Sequence, residues 1–315
     1  MAFLVIGSDR AHDFHKTLQS KVTDRDARLW PDAGDPADIE HALAWHPEPG
    51  VLKTFPNLKS IVSVGAGVDH LFSDPELPAV PVVRYVDPDL TERMVEYITL
   101  QTSIHTRRLL EYQEQQRRKI WNYLPEPAAH EVRVGIMGLG VLGEAAARAL
   151  NVIGYQVRGW TRTPKIVDGV VGFSGQAQLN EFLAETDVLV VLLPLTPATH
   201  GILNRDLFKM LSTTGRHPRL RGPVLINAGR GGLQVETDIL AALEARELHA
   251  ASLDVFEQEP LPSESPLWSH PRIVITPHNA AESATDSIVG YFINHVASME
   301  SGAELENVVN RAAGY

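Results

Sequence analysis

The sequence predicts an α/β protein of two lobes, the second built around a parallel, doubly wound sheet. Three observations lead there. Short, nearly continuous apolar runs recur along the chain between helical patterns, as strands covered on both faces require. A glycine triplet, Gly138, Gly140 and Gly143, follows one such run directly and opens an alanine-rich helical stretch. The length of 315 residues exceeds the usual size of one domain, so two lobes are the natural division.

The first third carries the runs "AFLVIGS", "ARLW", "ALAW", "SIVSVGAGV" and "VVRYV", read as strands of a smaller α/β lobe. The glycines after "SIVSV" read only as a turn. From Asp89 to about Lys119 the pattern is long, helical and charged, and it meets the Pro-rich break "LPEPAAHE", a crossover into the second lobe. Arg117, Arg118 and Lys119 lie beside Glu111 and Glu114, which favours a solvated helix face over a phosphate site. Past Glu131 come "VRVGIMG", "YQVRGW", "DVLVVLLP", "PVLINA", "AASLDV" and "IVITPH", the strands of a parallel sheet. The stretch "ESATDSIVGYFINHVASMESG" is amphipathic with a period near 3.6 and predicts a terminal helix.

Composition bounds the function. Hydrophobic content of 44% and charged content of 21% are ordinary for a globular enzyme, and no apolar run approaches the roughly 18 residues of a membrane span. The opening "MAFLVIGSD" reads as a first strand rather than a secretory signal, so a cytoplasmic location is expected. The absence of cysteine excludes disulfides, thiolate catalysis and Cys-ligated metal. A net charge of −11 disfavours nucleic acid as a partner, so an anionic substrate needs local positive groups. His12 and His15 in "HDFH" resemble a metal pair, but no third ligand completes it and an amphipathic helix accounts for both; no metal is expected.

The triplet in "VRVGIMGLGVLGEAAARAL" has the context of a dinucleotide fingerprint. Gly138 permits the tight turn, Gly140 lets the backbone approach a pyrophosphate, and Gly143 allows close packing of helix on strand. The end of the next strand, "RGWTRTPK", lacks the carboxylate that holds ribose hydroxyls in NAD sites. Arg162 and Lys165, with the hydroxyls of Thr161 and Thr163, can instead surround a 2′-phosphate. NADP(H) is therefore preferred over NAD(H), which stays open. The competing reading is a polar loop whose basic residues face solvent.

Three residues can carry the chemistry. Arg230 follows "PVLINA" at the carboxyl edge of the sheet, where it can bind a carboxylate and polarise the adjacent carbonyl. His278 ends "IVIT" at the same edge, one of 13 histidines. Glu259 can fix its tautomer and favour the imidazolium, which makes His278 a general acid. Each has a plain alternative: a surface arginine in a glycine turn, and a structural histidine.

The quoted segments, with "SVGAGVDHL", "LLPLTPATHGIL", "NAGRGG", "LDVFEQEPLPSESPLW", "ITPHNAA" and the terminal "RAAGY", resemble the D-isomer-specific 2-hydroxyacid dehydrogenase family along nearly the whole chain. Within that family the likeness is to type A glyoxylate/hydroxypyruvate reductases. The resemblance implies two Rossmann-like lobes, with a coenzyme lobe at residues 92–282 and a discontinuous substrate lobe at 1–91 and 283–315. It implies Arg230, Glu259 and His278 as the catalytic set and a small anionic 2-oxo or 2-hydroxy acid as substrate. Cofactor contacts fall on Gly138, Gly140, Val141, Leu142, Gly143, Thr161, Arg162, Thr163 and Lys165, then on Leu193, Pro194 and Thr199 of the covering loop. Ala228, Gly229 and Asp254 complete them, Asp254 facing the nicotinamide carboxamide. Ala66 and Gly67 offer amides to the substrate carboxylate, and Trp45 resembles the aromatic wall of the pocket, its alternative being a core tryptophan. A homodimer is also implied.

Three departures stand out: the long stretch "STTGRHPRLRG", Gly229 in place of a commoner Ala or Ser, and "HNAAES" after the histidine. The leading expectation is NADPH-dependent reduction of glyoxylate and hydroxypyruvate. An NAD-dependent dehydrogenase of another 2-hydroxy acid is one alternative. The other is a dinucleotide-binding, corepressor-like scaffold.

Overall fold

Apolar runs that are buried on both sides become the strands of two all-parallel sheets. The computed structural model describes residues 1–7 and 10–311; the last four residues of the terminal "RAAGY" lie outside them. The chain forms two units, one from Met1–Leu90 with the segment from Ser283 onward, the other from Thr91–Glu282.

The first unit opens with β1 (Ala2–Ile6), whose five side chains are all buried, then α1 (Ala11–Lys21) and β2 (Asp26–Leu29). Helix α1 buries Ala11, Phe14 and Leu18, a spacing of three and four that lays one face on the sheet. His15 on this helix sets Nε2 2.8 Å from the Ala27 carbonyl oxygen. β3 (Ile39–Ala44), β4 (Ser60–Ser63), α2 (Asp69–Phe72) and β5 (Val82–Val83) follow. The strand order is β2-β1-β3-β4-β5. The run "VVRYV" is a strand only over its first two residues.

Helix α3 (Pro88–Thr106) leads into the second unit and is separated from α4 (Leu109–Arg117) by Arg108, whose φ of 56° ends the helical hydrogen bonding. The single long helical pattern of the sequence is therefore two helices. β6 (Arg133–Met137), α5 (Val141–Ile153) and β7 (Gln156–Thr161) form the first βαβ passage. β8 (Val171–Ser174) is an edge strand with only Phe173 buried, too polar to announce itself as an apolar run. Then come α6 (Leu179–Ala184), β9 (Val188–Val191), α7 (Arg205–Met210), β10 (Val224–Asn227), α8 (Glu236–Glu244), β11 (Ala250–Leu253) and β12 (Ile273–Ile275). The order is β12-β11-β10-β9-β6-β7-β8. Because β6 lies between β7 and β9, the winding reverses there, which opens a crevice at the carboxyl ends of the strands. Leucine- and phenylalanine-rich packing covers one face and Ile98, Ala146, Leu150 and their neighbours the other. The chain returns to the first unit as α9 (Thr285–Glu300), where Val289 and Phe292 are buried.

Candidate active site

Loops leaving three adjacent parallel strands build the site within the second unit. Arg230 follows β10, Glu259 follows β11 and His278 follows β12, so strand order alone sets their exits side by side at the carboxyl edge.

His278 Nδ1 lies 2.7 Å from Glu259 Oε2, and the other carboxylate oxygen accepts the Phe256 amide at 2.9 Å. A carboxylate on Nδ1 keeps the proton there and leaves Nε2 for a reactant. Burial opposes the charge of Glu259. The hydrogen bond from His278, the Phe256 amide and the positive charges of His278 and Arg230 outweigh it and hold the carboxyl below its ordinary range. Both side chains remain 36% exposed, so the pair is open to a small solute.

His278 has φ 52°, a left-handed conformation that costs energy outside glycine. Its N–H donates to the carbonyls of Asp254 at 2.8 Å and Thr276 at 3.1 Å. Beneath the turn, the buried Asp254 carboxylate accepts Thr276 Oγ1 at 2.6 Å and the amides of Asn279 and Ala280 at 3.0 and 3.1 Å. Tyr97 of α3 closes the chain, with its hydroxyl 2.8 Å from Thr276 Oγ1. Sequence reasoning missed Thr276 and Tyr97. The first stands in "TPHNA" itself; the second is far off in sequence and gives no local signal.

The Arg230 turn is fixed by Asn227, which is fully buried. Its side chain donates to the Arg230 carbonyl at 3.1 Å and accepts the Gly229 amide at 3.1 Å. Arg230 Nη1 donates to the Gly229 carbonyl at 2.8 Å. A Cβ on Gly231 would fall 1.7 Å from the Phe256 carbonyl oxygen, so glycine there lets the Arg230 turn press against the segment that carries Glu259.

The cofactor candidates gather at the β6–β9 switch. Gly138 has φ 102°, and a Cβ on Gly143 would lie 1.9 Å from the Gly138 carbonyl oxygen; the helix packs on the turn only without one. A Cβ on Gly140, the N-cap of α5, would meet nothing within 4 Å, so the helix start faces open space with its first amides lacking intrahelical partners. A pyrophosphate fits this cradle. Thr161 ends β7, its hydroxyl donating to the Thr163 carbonyl at 2.7 Å, and Arg162 and Thr163 are exposed beyond it. Lys165 Nζ is tied back to the Leu139 carbonyl at 2.6 Å and to Glu144 at 2.8 Å, which holds its charge beside the glycine turn. Glu144 was not anticipated. Pro194 and Thr199 share a loop closed by Thr199 Oγ1 donating to the Pro194 carbonyl at 2.7 Å. A Cβ on Gly229 would lie 3.0 Å from the Leu193 carbonyl oxygen, so the segment of Ala228 and Gly229 abuts the loop of Leu193.

Within the first unit, Trp45 is half-buried just past β3 rather than in the core. Its ring leaves no room for a Cβ on Gly65, only 2.7 Å away, and lies 4.5 Å from the His70 ring centroid. The loop of Ala66 and Gly67 is thus next to Trp45. Ser63 Oγ pins this loop by donating to the Gly67 carbonyl at 3.1 Å, while the amides of Ala66 and Gly67 make no hydrogen bond among the described residues.

The profile of the family described as "D-isomer specific 2-hydroxyacid dehydrogenase, NAD binding domain" matches residues 101–280. The chain is 40% identical over 305 residues to a glyoxylate/hydroxypyruvate reductase A of Yersinia enterocolitica, covering 95% of this chain and 94% of that one. Among solved structures it is similar to an NADPH-dependent glyoxylate/hydroxypyruvate reductase of Sinorhizobium meliloti in complex with NADP and sulfate, with TM-score 0.93, 41% identity and full coverage of both chains. It is also similar to a probable 2-hydroxyacid dehydrogenase of Rhizobium etli in complex with NADP, HEPES and L(+)-tartaric acid, with TM-score 0.94, 43% identity, and coverage of 100% and 99%. Matched by that profile over residues 101–280 and by a relative 40% identical over 95% of its length, the chain belongs to the D-isomer specific 2-hydroxyacid dehydrogenase family.

Proposed function

We propose that this protein is an NADPH-dependent reductase of small 2-oxo acids, taking glyoxylate to glycolate and hydroxypyruvate to glycerate. The observation that carries the reading is the hydrogen-bonded His278–Glu259 pair close to the positive charge of Arg230, at the edge of a sheet whose glycine cradle fits a dinucleotide.

When bound, NADPH supplies the hydride that adds to the substrate's carbonyl carbon. Arg230 binds the carboxylate and polarises the carbonyl. His278 delivers a proton from Nε2 to the carbonyl oxygen, and Glu259 stabilises the imidazolium until it does. The α5 amino terminus, with Gly138, Gly140, Val141, Leu142 and Gly143, holds the pyrophosphate. Thr161, Arg162, Thr163 and Lys165 hold the 2′-phosphate. Leu193, Pro194, Thr199, Ala228 and Gly229 line the cofactor, and Asp254 serves the nicotinamide end while it clamps the His278 turn. In the first unit, Ala66 and Gly67 offer amides to the substrate and Trp45 limits its size. Residues 92–282 form the NADP-binding domain and residues 1–91 with 283–315 the substrate domain.

The same reading includes a homodimer. Leu100, Leu109, Ile120, Trp121 and Tyr123 expose apolar surface along one stretch of chain, Trp121 fully, which favours a protein partner, and the family likeness makes that partner a second copy. A cytoplasmic location fits a cysteine-free chain that consumes NADPH.

The test is absorbance loss at the reduced-nicotinamide band with glyoxylate, hydroxypyruvate and pyruvate, each with NADPH and with NADH. Faster NADPH oxidation with the first two is expected. Faster NADH oxidation overturns the cofactor assignment, and silence in all six mixtures overturns the substrate class.

A further inference from the structure

The loop "STTGRHPRLRG", longer than its function so far explains, lies at the amino edge of the seven-stranded sheet, the end opposite the site just described. It is fastened there by Ser212 Oγ donating to Asp187 at 2.5 Å and by Arg133 Nη1 donating to the Thr214 carbonyl at 2.6 Å. Between this loop, the α3–α4 junction and the start of β11 is a small cavity lined by Arg108, Glu111, Asp187, Arg219, Arg221 and His249, among others.

Its charges are unequal. Arg133 grips Asp187 at 2.9 and 2.6 Å, and Glu111 is met by Arg108 at 3.3 Å and His249 at 3.4 Å. Each carboxylate thus has its own guanidinium. Arg219 donates only to the neutral Glu126 carbonyl, at 3.3 Å, and Arg221 makes no side-chain hydrogen bond or ion pair among the described residues. Arg219 also feels the Glu131 carboxylate, which it shares with His217 and His130, so the lining carries an excess of positive charge, in a chain of net charge −11. Arg108 adds an independent sign. It is only 7% exposed, it lines the cavity, its Nε and Nη1 are bound to Glu111 and the Pro125 carbonyl, and its Nη2 is buried without a partner. A buried guanidinium N–H without an acceptor is unfavourable unless a ligand supplies one. The cavity volume is about 20 Å³, on a scale where one water needs roughly 10–15 Å³, so it takes one or two oxygens of an ion that otherwise sits at the exposed Arg219 and Arg221, and it excludes a nucleotide.

We propose that this cavity is a second, separate anion site that binds a phosphate dianion, held by Arg108, Arg219 and Arg221. Tetrahedral oxygens suit guanidinium forks, and the excess of positive charge in the lining suits an anion. The bound ion joins the α3–α4 junction to the long loop, which gives that loop a reason to exist.

The experiment titrates the protein, with NADPH present, with inorganic phosphate at constant ionic strength in chloride, reading heat and melting temperature. Wild type is expected to bind saturably and to melt higher as sites fill. The double variant Arg219→Ala/Arg221→Ala, exposed positions that leave the core intact, is expected to bind at least about tenfold more weakly. The control Arg162→Ala/Lys165→Ala, at the proposed 2′-phosphate site, is expected to bind as wild type. Methyl phosphate in a parallel titration separates the sources: tighter inorganic phosphate identifies the free ion, tighter methyl phosphate a phosphomonoester, and either supports the site. Unsaturable binding, equal binding by the loop variant, or loss confined to the control variant overturns it.

Discussion

Nδ1 of His278 stands 2.7 Å from Oε2 of Glu259, and the same carboxylate is anchored through its other oxygen to the Phe256 amide. Glu259 is thereby fixed at both oxygens, so it orients the imidazole rather than following it. Glu259→Gln keeps the shape but removes the charge. Turnover should fall about 100-fold or more, while the KM for NADPH changes little; steady-state kinetics in both substrates check this. His278→Ala should lose about 100- to 10,000-fold in kcat. Wild-type turnover in that variant would remove His278 from the mechanism.

The pH dependence of the pair has a definite sign. The folded Glu259 carboxyl sits below its ordinary value, so the stabilisation from its ionised form is complete above the ordinary carboxylate range and is lost as pH falls through the lower, folded value. The acid limb of kcat/KM in the wild type should therefore not report Glu259 near its ordinary value. A limb in that ordinary range that disappears in Glu259→Gln would contradict the assignment.

Arg230 offers two parallel donors where a lysine offers a point charge. Arg230→Lys should raise the KM for glyoxylate about 10- to 100-fold, the equivalent of one charged hydrogen bond, with a smaller loss in kcat. Kinetics over a wide range of glyoxylate separate the two effects.

Arg162→Ala with Lys165→Ala should raise the KM for NADPH by at least about tenfold and leave that for NADH nearly unchanged. Because Lys165 also bonds the Leu139 carbonyl and Glu144, a melting curve of the variant is needed alongside. Equal effects on the two coenzymes would reject the 2′-phosphate pocket.

Gly231→Ala should destabilise the protein by about 1–3 kcal/mol, since its Cβ would overlap the Phe256 carbonyl oxygen, 1.7 Å away, and one of the two segments must shift. The shift also displaces Glu259, so kcat should fall with the melting temperature. A variant that melts and turns over like wild type would show that the segments yield freely.

In the first unit, His41 is fully buried with Nδ1 2.8 Å from Ser60 Oγ, and burial pushes its pKa from 6.5 down to about 4. The folded protein keeps this ring neutral while the unfolded chain protonates it. Stability is therefore complete above pH 6.5 and declines as pH falls toward 4. Melting temperature against pH, compared with His41→Gln, should show a shallower slope in the variant over that interval.

The parts of this protein legible in the sequence are those whose cause is local. Buried parallel strands need near-continuous apolar runs, so β6, β9, β10 and β11 announce themselves; the Gly138–Gly143 spacing and the strand ends at Arg230 and His278 depend on neighbours a few residues away. Glu259 was already legible as the carboxylate that could orient His278, whereas reading the loop of Ala66 and Gly67 as more than a turn drew on family likeness. What tertiary structure alone decided involves partners far apart in the chain. The break at Arg108, the polar edge strand β8, the Tyr97–Thr276–Asp254 clamp, the tether of Lys165 to Glu144 and the placement of Trp45 against Gly65 arise only when separate segments are packed together. Periodicity records which face of an element is buried. It does not record which polar groups meet across the fold, because a hydrogen bond constrains two side chains at about 3 Å and leaves no pattern along either strand.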